Sequence, residues 1–369
     1  LNDAYHALIR GDRAGLVPAM KRAGLWALSL GYRLGVGLRN RAYDRGWKTV
    51  HKAAVPVVSV GNLTVGGTGK TPCVEYVARF YRQLGLQVAL LSRGYGSEVG
   101  RNDEALVLEE NLPDVPHLQG ADRAALADIA VEELESEILV LDDGFQHRRL
   151  HRDLDLVLID ATCPWGYGNV LPRGLLREPI SGLKRAHAVI VTRCDLATPD
   201  EVRTIVATVD RIKPGMLIVQ ATHRPAQWRN ASEQVATLES LKDRPIVGFC
   251  GIGNPAAFQQ TLVKLGLNVV GWRTYPDHHA YSREDIAELR TWVGQLPPET
   301  VLVTTQKDLV KIRVDRLSDC ELWALQIQMQ MTSGQDALEG LLRGIIAAKN
   351  QEPGSVEPGN GEPRTENRE

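Results

Sequence analysis

Val57-Val58-Ser59-Val60-Gly61-Asn62-Leu63-Thr64-Val65-Gly66-Gly67-Thr68-Gly69-Lys70-Thr71-Pro72 is the stretch on which the fold turns. A β-branched apolar run reads as a buried strand, the glycines that follow read as a turn, and Pro72 sits where a first helical turn tolerates proline. The order is strand, loop, helix. Glycines at 66, 67 and 69 allow positive φ, so the loop N–H groups can converge on an anion at the helix N-terminus. The spacing predicts a phosphate loop over Thr64, Val65, Gly66, Gly67, Thr68, Gly69, Lys70 and Thr71. In it Lys70 reaches the β- and γ-phosphates of a nucleotide and the Thr71 hydroxyl ligates Mg²⁺. The strict pattern has glycine at position 64; Thr64 stands there instead.

The chain has 369 residues, enough for two domains, and its 43% hydrophobic and 24% charged residues describe an ordinary globular protein with ample core. Cys73, Cys163, Cys194, Cys250 and Cys320 are scattered, with no short-spaced pair. That argues against a zinc site or a disulfide framework and fits a reducing cytoplasm. No signal-peptide pattern opens the chain and no uncharged apolar run is long enough to span a bilayer, so neither standard export nor a membrane span is expected. Leu1 implies an unusual start codon or an incomplete N-terminus.

Charge is unevenly placed. Residues 1–54 carry ten Lys or Arg against Asp3, Asp12 and Asp44, a net +7, which leaves −9 for the rest. Leu16, Met20, Ala23, Ala27, Leu30, Leu34 and Leu38 recur at helical spacing, Lys21, Arg22, Arg39 and Arg41 fall mostly elsewhere, and Trp26 and Tyr32 interleave. Two readings stand: an interfacial helix on an anionic leaflet, or a helix packed on the body with a solvated basic face. Nucleic acid is not expected, since no recognition motif accompanies the charge.

Beyond the phosphate loop, a helix over 70–84 and a strand over 87–91 lead to Ser92-Arg93-Gly94-Tyr95-Gly96, a loop at a strand's carboxyl end, where open α/β sheets bind ligands. A short strand near 105–108 and a helix over 121–134 follow. Ile138-Leu139-Val140-Leu141-Asp142-Asp143 has the form of a Walker B strand, whose carboxylates can hold Mg²⁺ opposite Thr71. Gln146, His147, Arg148 and Arg149 place polar and cationic groups beside it. A strand over 155–160 precedes a turn-rich loop at 171–179, where Arg177 either binds phosphate or pairs with a carboxylate. Thr192-Arg193-Cys194-Asp195 after the next strand is a candidate base-reading loop.

A helix over 199–211 and a strand over 216–220 end this series, and His223, Arg224 and Pro225 read as a crossing. A second α/β series starts at residue 245, with Gly251-Ile252-Gly253-Asn254-Pro255 read as turn and packing glycines rather than a second nucleotide site. Helices are expected over 256–265, 283–295 and 335–348, and strands over 268–273, 300–304 and 321–327. Tyr275-Pro276-Asp277-His278-His279-Ala280-Tyr281 gathers titratable groups in one turn. The expected organisation is a basic amphipathic region at 1–54, a P-loop kinase domain at 55–222, a smaller α/β domain at 223–348 and a disordered tail at 349–369. The fold class is α/β, a P-loop NTPase-like, mostly parallel sheet sandwiched by helices.

Seven motifs in order resemble the tetraacyldisaccharide 4'-kinase (lipid A 4'-kinase) family. They are residues 61–72, 92–96, Asp142-Asp143-Gly144-Phe145-Gln146-His147, residues 171–179, residues 251–255, Pro276-Asp277-His278-His279, and Thr304-Thr305-Gln306-Lys307-Asp308 with Lys311. Thr64 is normal in that family. Arg173, Leu175, Tyr275 and Gln306 depart from its usual residues, as does Asn102-Asp103-Glu104-Ala105, where it reads Gly-Asp-Glu-Pro. The resemblance implies ATP-dependent phosphorylation of the 4'-hydroxyl of a tetraacyl glucosamine disaccharide 1-phosphate, with ATP and Mg²⁺ as cofactors. It implies Lys70, Asp103 and His278 as catalytic residues, with Asp103 the base and His278 its partner. Thr71, Asp142 and Asp143 are the expected metal ligands, and Arg93, Gln146, His147 and Arg177 the candidate substrate contacts. A four-chain lipid does not leave a bilayer readily, so the basic front end acquires a purpose at the cytoplasmic face of the inner membrane, with no protein partner implied. The alternative is a GTP-dependent switch or metallochaperone of the same fold.

Overall fold

The computed structural model describes residues 3–94, 103–297 and 299–350. Tyr95, Gly96, Asn102 and residues 351–369 of the tail expected to be disordered lie outside the described residues, while residues 349 and 350 end the helix Gln335–Asn350. All the described strands but two form one path, from Asn268–Thr274 at one edge through Pro245–Cys250, Val301–Thr305, Cys320–Ser333, Leu217–Arg229, Ala188–Thr192, Leu154–Asp160, Val57–Asn62, Ile138–Asp142 and Val88–Ser92 to His117–Gln119 at the other. Neighbours are parallel everywhere along it except at the pair Leu217–Arg229 and Cys320–Ser333. The central strands are buried along their whole length and mostly apolar, as parallel strands under helices must be.

The antiparallel seam determines where a ligand can bind. Ala188–Thr192 runs beside residues 217–220, and Val301–Thr305 runs beside residues 322–325, of which Ala324 and Leu325 pair with Arg229 and Trp228. The two parallel halves therefore run in opposite directions, with their carboxyl ends facing each other across residues 221–227. Those ends are where α/β sheets carry their ligand loops, so the seam places two sets of loops face to face. Pro225 has no N–H to give, and the register slips at this point, with Gln326 opposite Gln227 and Ile327 opposite Pro225.

The sequence expectation of a crossing at 223–225 is thereby corrected: the chain stays in the sheet, in one strand that continues to Arg229. The expected strand at 105–108 is also corrected. Asp103–Asn111 is a helix with Asp103 and Glu104 in its first turn, where carboxylates suit the dipole, and Ala105, Val107 and Leu108 are buried. The helices Lys70–Gln83 and Asp103–Asn111 share a core with the strands beneath them through Val74, Val77, Tyr81 and Leu108. Near the N-terminus, Leu16–Asp44 is a single helix that buries Ser29 while Leu16, Met20, Trp26, Leu30, Leu34 and Leu38 stay exposed. None of the described helices is long and apolar enough to cross a membrane.

Candidate active site

The phosphate loop is held by a second loop rather than by glycines alone. Thr64 bridges to Leu176, the Val65 N–H donates to Leu175 O at 2.8 Å, and the Arg177 N–H donates to Leu63 O at 2.7 Å. Thr64 is buried in this pairing, which suits an extended residue better than glycine. Thr68 accepts a hydrogen bond from Asn62 Nδ2 at 2.9 Å, and its carbonyl accepts one from Thr192 Oγ1 at 2.9 Å. Gly69, at φ +86°, then caps the helix that starts at Lys70.

The two carboxylates that end the Ile138–Asp142 strand differ sharply. Arg177 Nη1 donates to both Asp143 oxygens at 2.7 and 2.8 Å, and Lys70 Nζ lies 3.7 Å from Asp143. Burial pushes the Asp143 carboxyl up, but Lys70 and Arg177 outweigh it and hold the group below its ordinary value. Asp142 Oδ1 is enclosed with no hydrogen-bond partner among the described residues, and burial, aided by the nearby charge of Glu104 and opposed by that of Lys70, pushes the carboxyl up to about 7. Arg177 thus pairs with a carboxylate, and Gln146 links the same cluster by donating to Asn62 O at 2.9 Å and to Glu178 at 3.1 Å. Glu178 is fully buried and held by Arg185, with both contacts at 2.9 Å. His147 stands apart: its Nε2 is enclosed with no partner among the described residues, and burial, then Arg123, holds it down to about 4. Arg93 is exposed at the strand end.

The opposite half supplies the rest. His278 Nδ1 lies 3.0 Å from both oxygens of Asp103, and the turn carrying it has φ +59° at His278. Lys311 Nζ lies 3.5 Å from Asp103, and Lys307 Nζ lies 2.6 Å from Glu104. Burial raises the Asp103 carboxyl, but the His278 hydrogen bond and the two lysine charges bring it down to about 2. The same hydrogen bond raises His278 above its ordinary value against the burial that opposes it. Sequence reasoning attached no role to Glu104, Lys307 or Lys311. Their signal was the spacing: Lys307 and Lys311 stand four apart on the helix Gln306–Ile312, hence on one face. Asp308, between them, accepts from the Gly251 N–H at 3.1 Å and the Tyr281 hydroxyl at 3.0 Å, so it fastens the 251–255 and 276–281 turns together.

In Thr192-Arg193-Cys194-Asp195, Thr192 braces the phosphate loop and Arg193 pairs with Asp160. The glycines at 251 and 253 are packing glycines, because a Cβ on them would press on His279, Pro276 and Asp277.

Residues 21–347 match the model of the family described as tetraacyldisaccharide-1-P 4'-kinase, LpxK. A tetraacyldisaccharide 4'-kinase of Anaeromyxobacter dehalogenans is 37% identical over 361 residues, covering 90% of this chain and 92% of that protein. One from Syntrophus aciditrophicus is 38% identical over 316 residues, covering 78% and 83%. A crystal structure of LpxK from Aquifex aeolicus in complex with ATP superposes with a TM-score of 0.70 at 29% identity, covering 88% of this chain and 99% of that one. On the match across residues 21–347 and these relatives, the chain belongs to the tetraacyldisaccharide-1-P 4'-kinase family.

Proposed function

We propose that this kinase transfers the γ-phosphoryl group of ATP to the 4'-hydroxyl of a tetraacylated glucosamine disaccharide 1-phosphate, forming the bis-phosphorylated lipid A precursor. In this reading residues 64–71 hold the nucleotide, and Asp103 with His278 handles the acceptor hydroxyl. The observation that carries it is the meeting at 3.0 Å of His278, on a turn of the half across the seam, with Asp103, at the start of a helix in the same half as the phosphate loop.

The residues at the phosphate loop suit Mg²⁺. Asp142 is a buried carboxylate with an enclosed, unpartnered oxygen, and a divalent cation supplies the charge it lacks. Asp142 and Thr71 would hold the ion, with Asp143, already tied to Arg177 and Lys70, in the outer shell. When bound, Mg²⁺ neutralises charge on the phosphate oxygens. Lys70 adds a positive charge at the oxygens that gain charge as the terminal phosphoryl departs. Asp103, held near a pKa of about 2, is ionised at every physiological pH and accepts a hydrogen bond from the 4'-hydroxyl, orienting it. As the 4'-oxygen bonds to the γ-phosphorus and the bond to the leaving β-phosphate oxygen breaks, the hydroxyl proton passes to the Asp103–His278 pair. A loose transition state asks for little proton removal before that bond forms.

The helix Leu16–Asp44 serves as the dock to the cytoplasmic face of the inner membrane, and the protein is peripheral there. Leu16, Met20, Trp26, Leu30, Leu34 and Leu38 are all exposed, and Lys21, Arg33 and Arg41 flank them. An open groove of about 420 Å³ on this helix, between Leu30, Leu34, Leu38, Arg33 and Arg41, offers apolar walls beside cationic groups.

Incubation with γ-labelled ATP, Mg²⁺ and the disaccharide in detergent, followed by thin-layer separation, tests the reading. Label should move to the lipid; label released only as inorganic phosphate would contradict it.

A further inference from the structure

The strand Leu217–Arg229 passes under the mouth of the phosphate loop, and one of its side chains has no role in anything described so far. Val219 and Ala221 pack in the core with the helix Lys70–Gln83. Strand side chains alternate, so His223 faces the same side one step further along, beyond the last core residue and at that helix's N-terminal end. Its imidazole lies against Gly69, so closely that a Cβ on Gly69 would collide with both Nε2 and Cε1. The Nε2 atom is shut off from solvent and has no hydrogen-bond partner among the described residues. Buried polar atoms are nearly always paired, and one that is not calls for a partner absent from the free protein.

Gly69 is the capping residue of the helix whose N–H groups form the anion site, so whatever touches it lies at the phosphate end of a bound nucleotide and away from the base. Burial and the charge of Arg193 hold His223 down to about 4, so the ring is neutral and presents one N–H. We propose that His223 is a phosphate-binding residue, whose Nε2–H donates to an oxygen of the nucleotide polyphosphate seated in residues 64–71. The proposal rests on the reading of that loop as the ATP site and adds a ligand from a strand that phosphate-loop patterns do not include. It also explains why position 69 has two reasons to be glycine, a left-handed φ and a ring against its Cα.

The full chain, ¹⁵N-labelled at histidine, is titrated with ATP, inorganic triphosphate and adenosine, and His223 is assigned by the resonances missing from His223→Gln. ATP and triphosphate should each shift the His223 ring nitrogens, and adenosine should not. By calorimetry His223→Ala should bind ATP about tenfold more weakly, as for a lost hydrogen bond to a charged group. His223→Gln, whose amide reaches about as far as Nε2, should stay within about threefold of the parent. Ring signals unmoved by saturating ATP, or an alanine variant that binds ATP as tightly as the parent, would overturn the contact. The titration of the parent decides the matter even if the alanine variant misfolds. A parent that binds neither ATP nor triphosphate overturns the nucleotide reading itself, and the His223 contact with it.

Discussion

His278 Nδ1 stands 3.0 Å from each carboxylate oxygen of Asp103, a contact between residues 175 positions apart that ties the two halves of the sheet together. The pair should stabilise the fold within a defined pH window. His278 is raised above its ordinary 6.5, so its contribution is complete below that value and is lost as pH rises through the raised one. Asp103 is lowered from 3.8 to about 2, so its contribution is present above 3.8 and is lost as pH falls toward 2. Denaturant unfolding of the parent and of His278→Ala should therefore differ more at pH 5 than at pH 9. Equal differences at both would remove the ion pair from the account.

Lys70→Ala should lower turnover by about 10²–10³-fold, the range for loss of one charge-stabilising donor at a transition state. Lipid binding should survive, because Lys70 contacts Asp143 and the phosphate loop rather than the exposed helix. Initial rates and detergent-micelle binding measured on the same preparation check both halves of this expectation.

Arg177 fixes Asp143 with one guanidinium nitrogen on both oxygens. Removing it in Arg177→Ala leaves Asp143 to Lys70 alone, so the concentration of Mg²⁺ needed for half-maximal rate should rise by about 10–100-fold. An unchanged Mg²⁺ requirement would mean that Asp143 is not in the metal's outer shell.

Association with vesicles containing anionic lipid should weaken as salt rises, since exposed charges more than about 8–10 Å apart are screened at physiological ionic strength. Trp26→Ser/Leu30→Ser/Leu34→Ser removes exposed apolar area without touching the buried side, where Ser29 donates to Val170 O at 3.0 Å and Tyr32 to Arg177 O at 2.9 Å. The triple variant should stay soluble in a flotation assay in which the parent floats. Co-flotation of the two would leave the helix as packing alone.

Local chemistry was legible in the sequence wherever it repeats within a few residues. The strand at 57–62, the glycines after it, and the apolar run that ends in Asp142 all announce themselves, because burial on both faces demands unbroken apolar strands. Residues 105–108 misled for the same reason. Ala-Leu-Val-Leu is as apolar as a strand, and only the tertiary core around Leu108 makes it one side of a helix. Pro225 hid the length of its strand, since a bulge that accommodates proline cannot be seen without the partner strand. The difference between Asp142 and Asp143 was invisible for another reason. It depends on Arg177, delivered by a loop whose own position is set by backbone pairing to the phosphate loop.

The double-mutant cycle on label transfer from γ-labelled ATP to the disaccharide tests the central claim most directly. Asp103→Ala and His278→Ala should each cut turnover far more than they weaken ATP binding. The double variant should be little worse than the poorer single one, because a hydrogen-bonded pair acts as a unit. Losses that simply multiply, or single variants that keep near-parental turnover, would contradict the assignment of this contact to the chemistry.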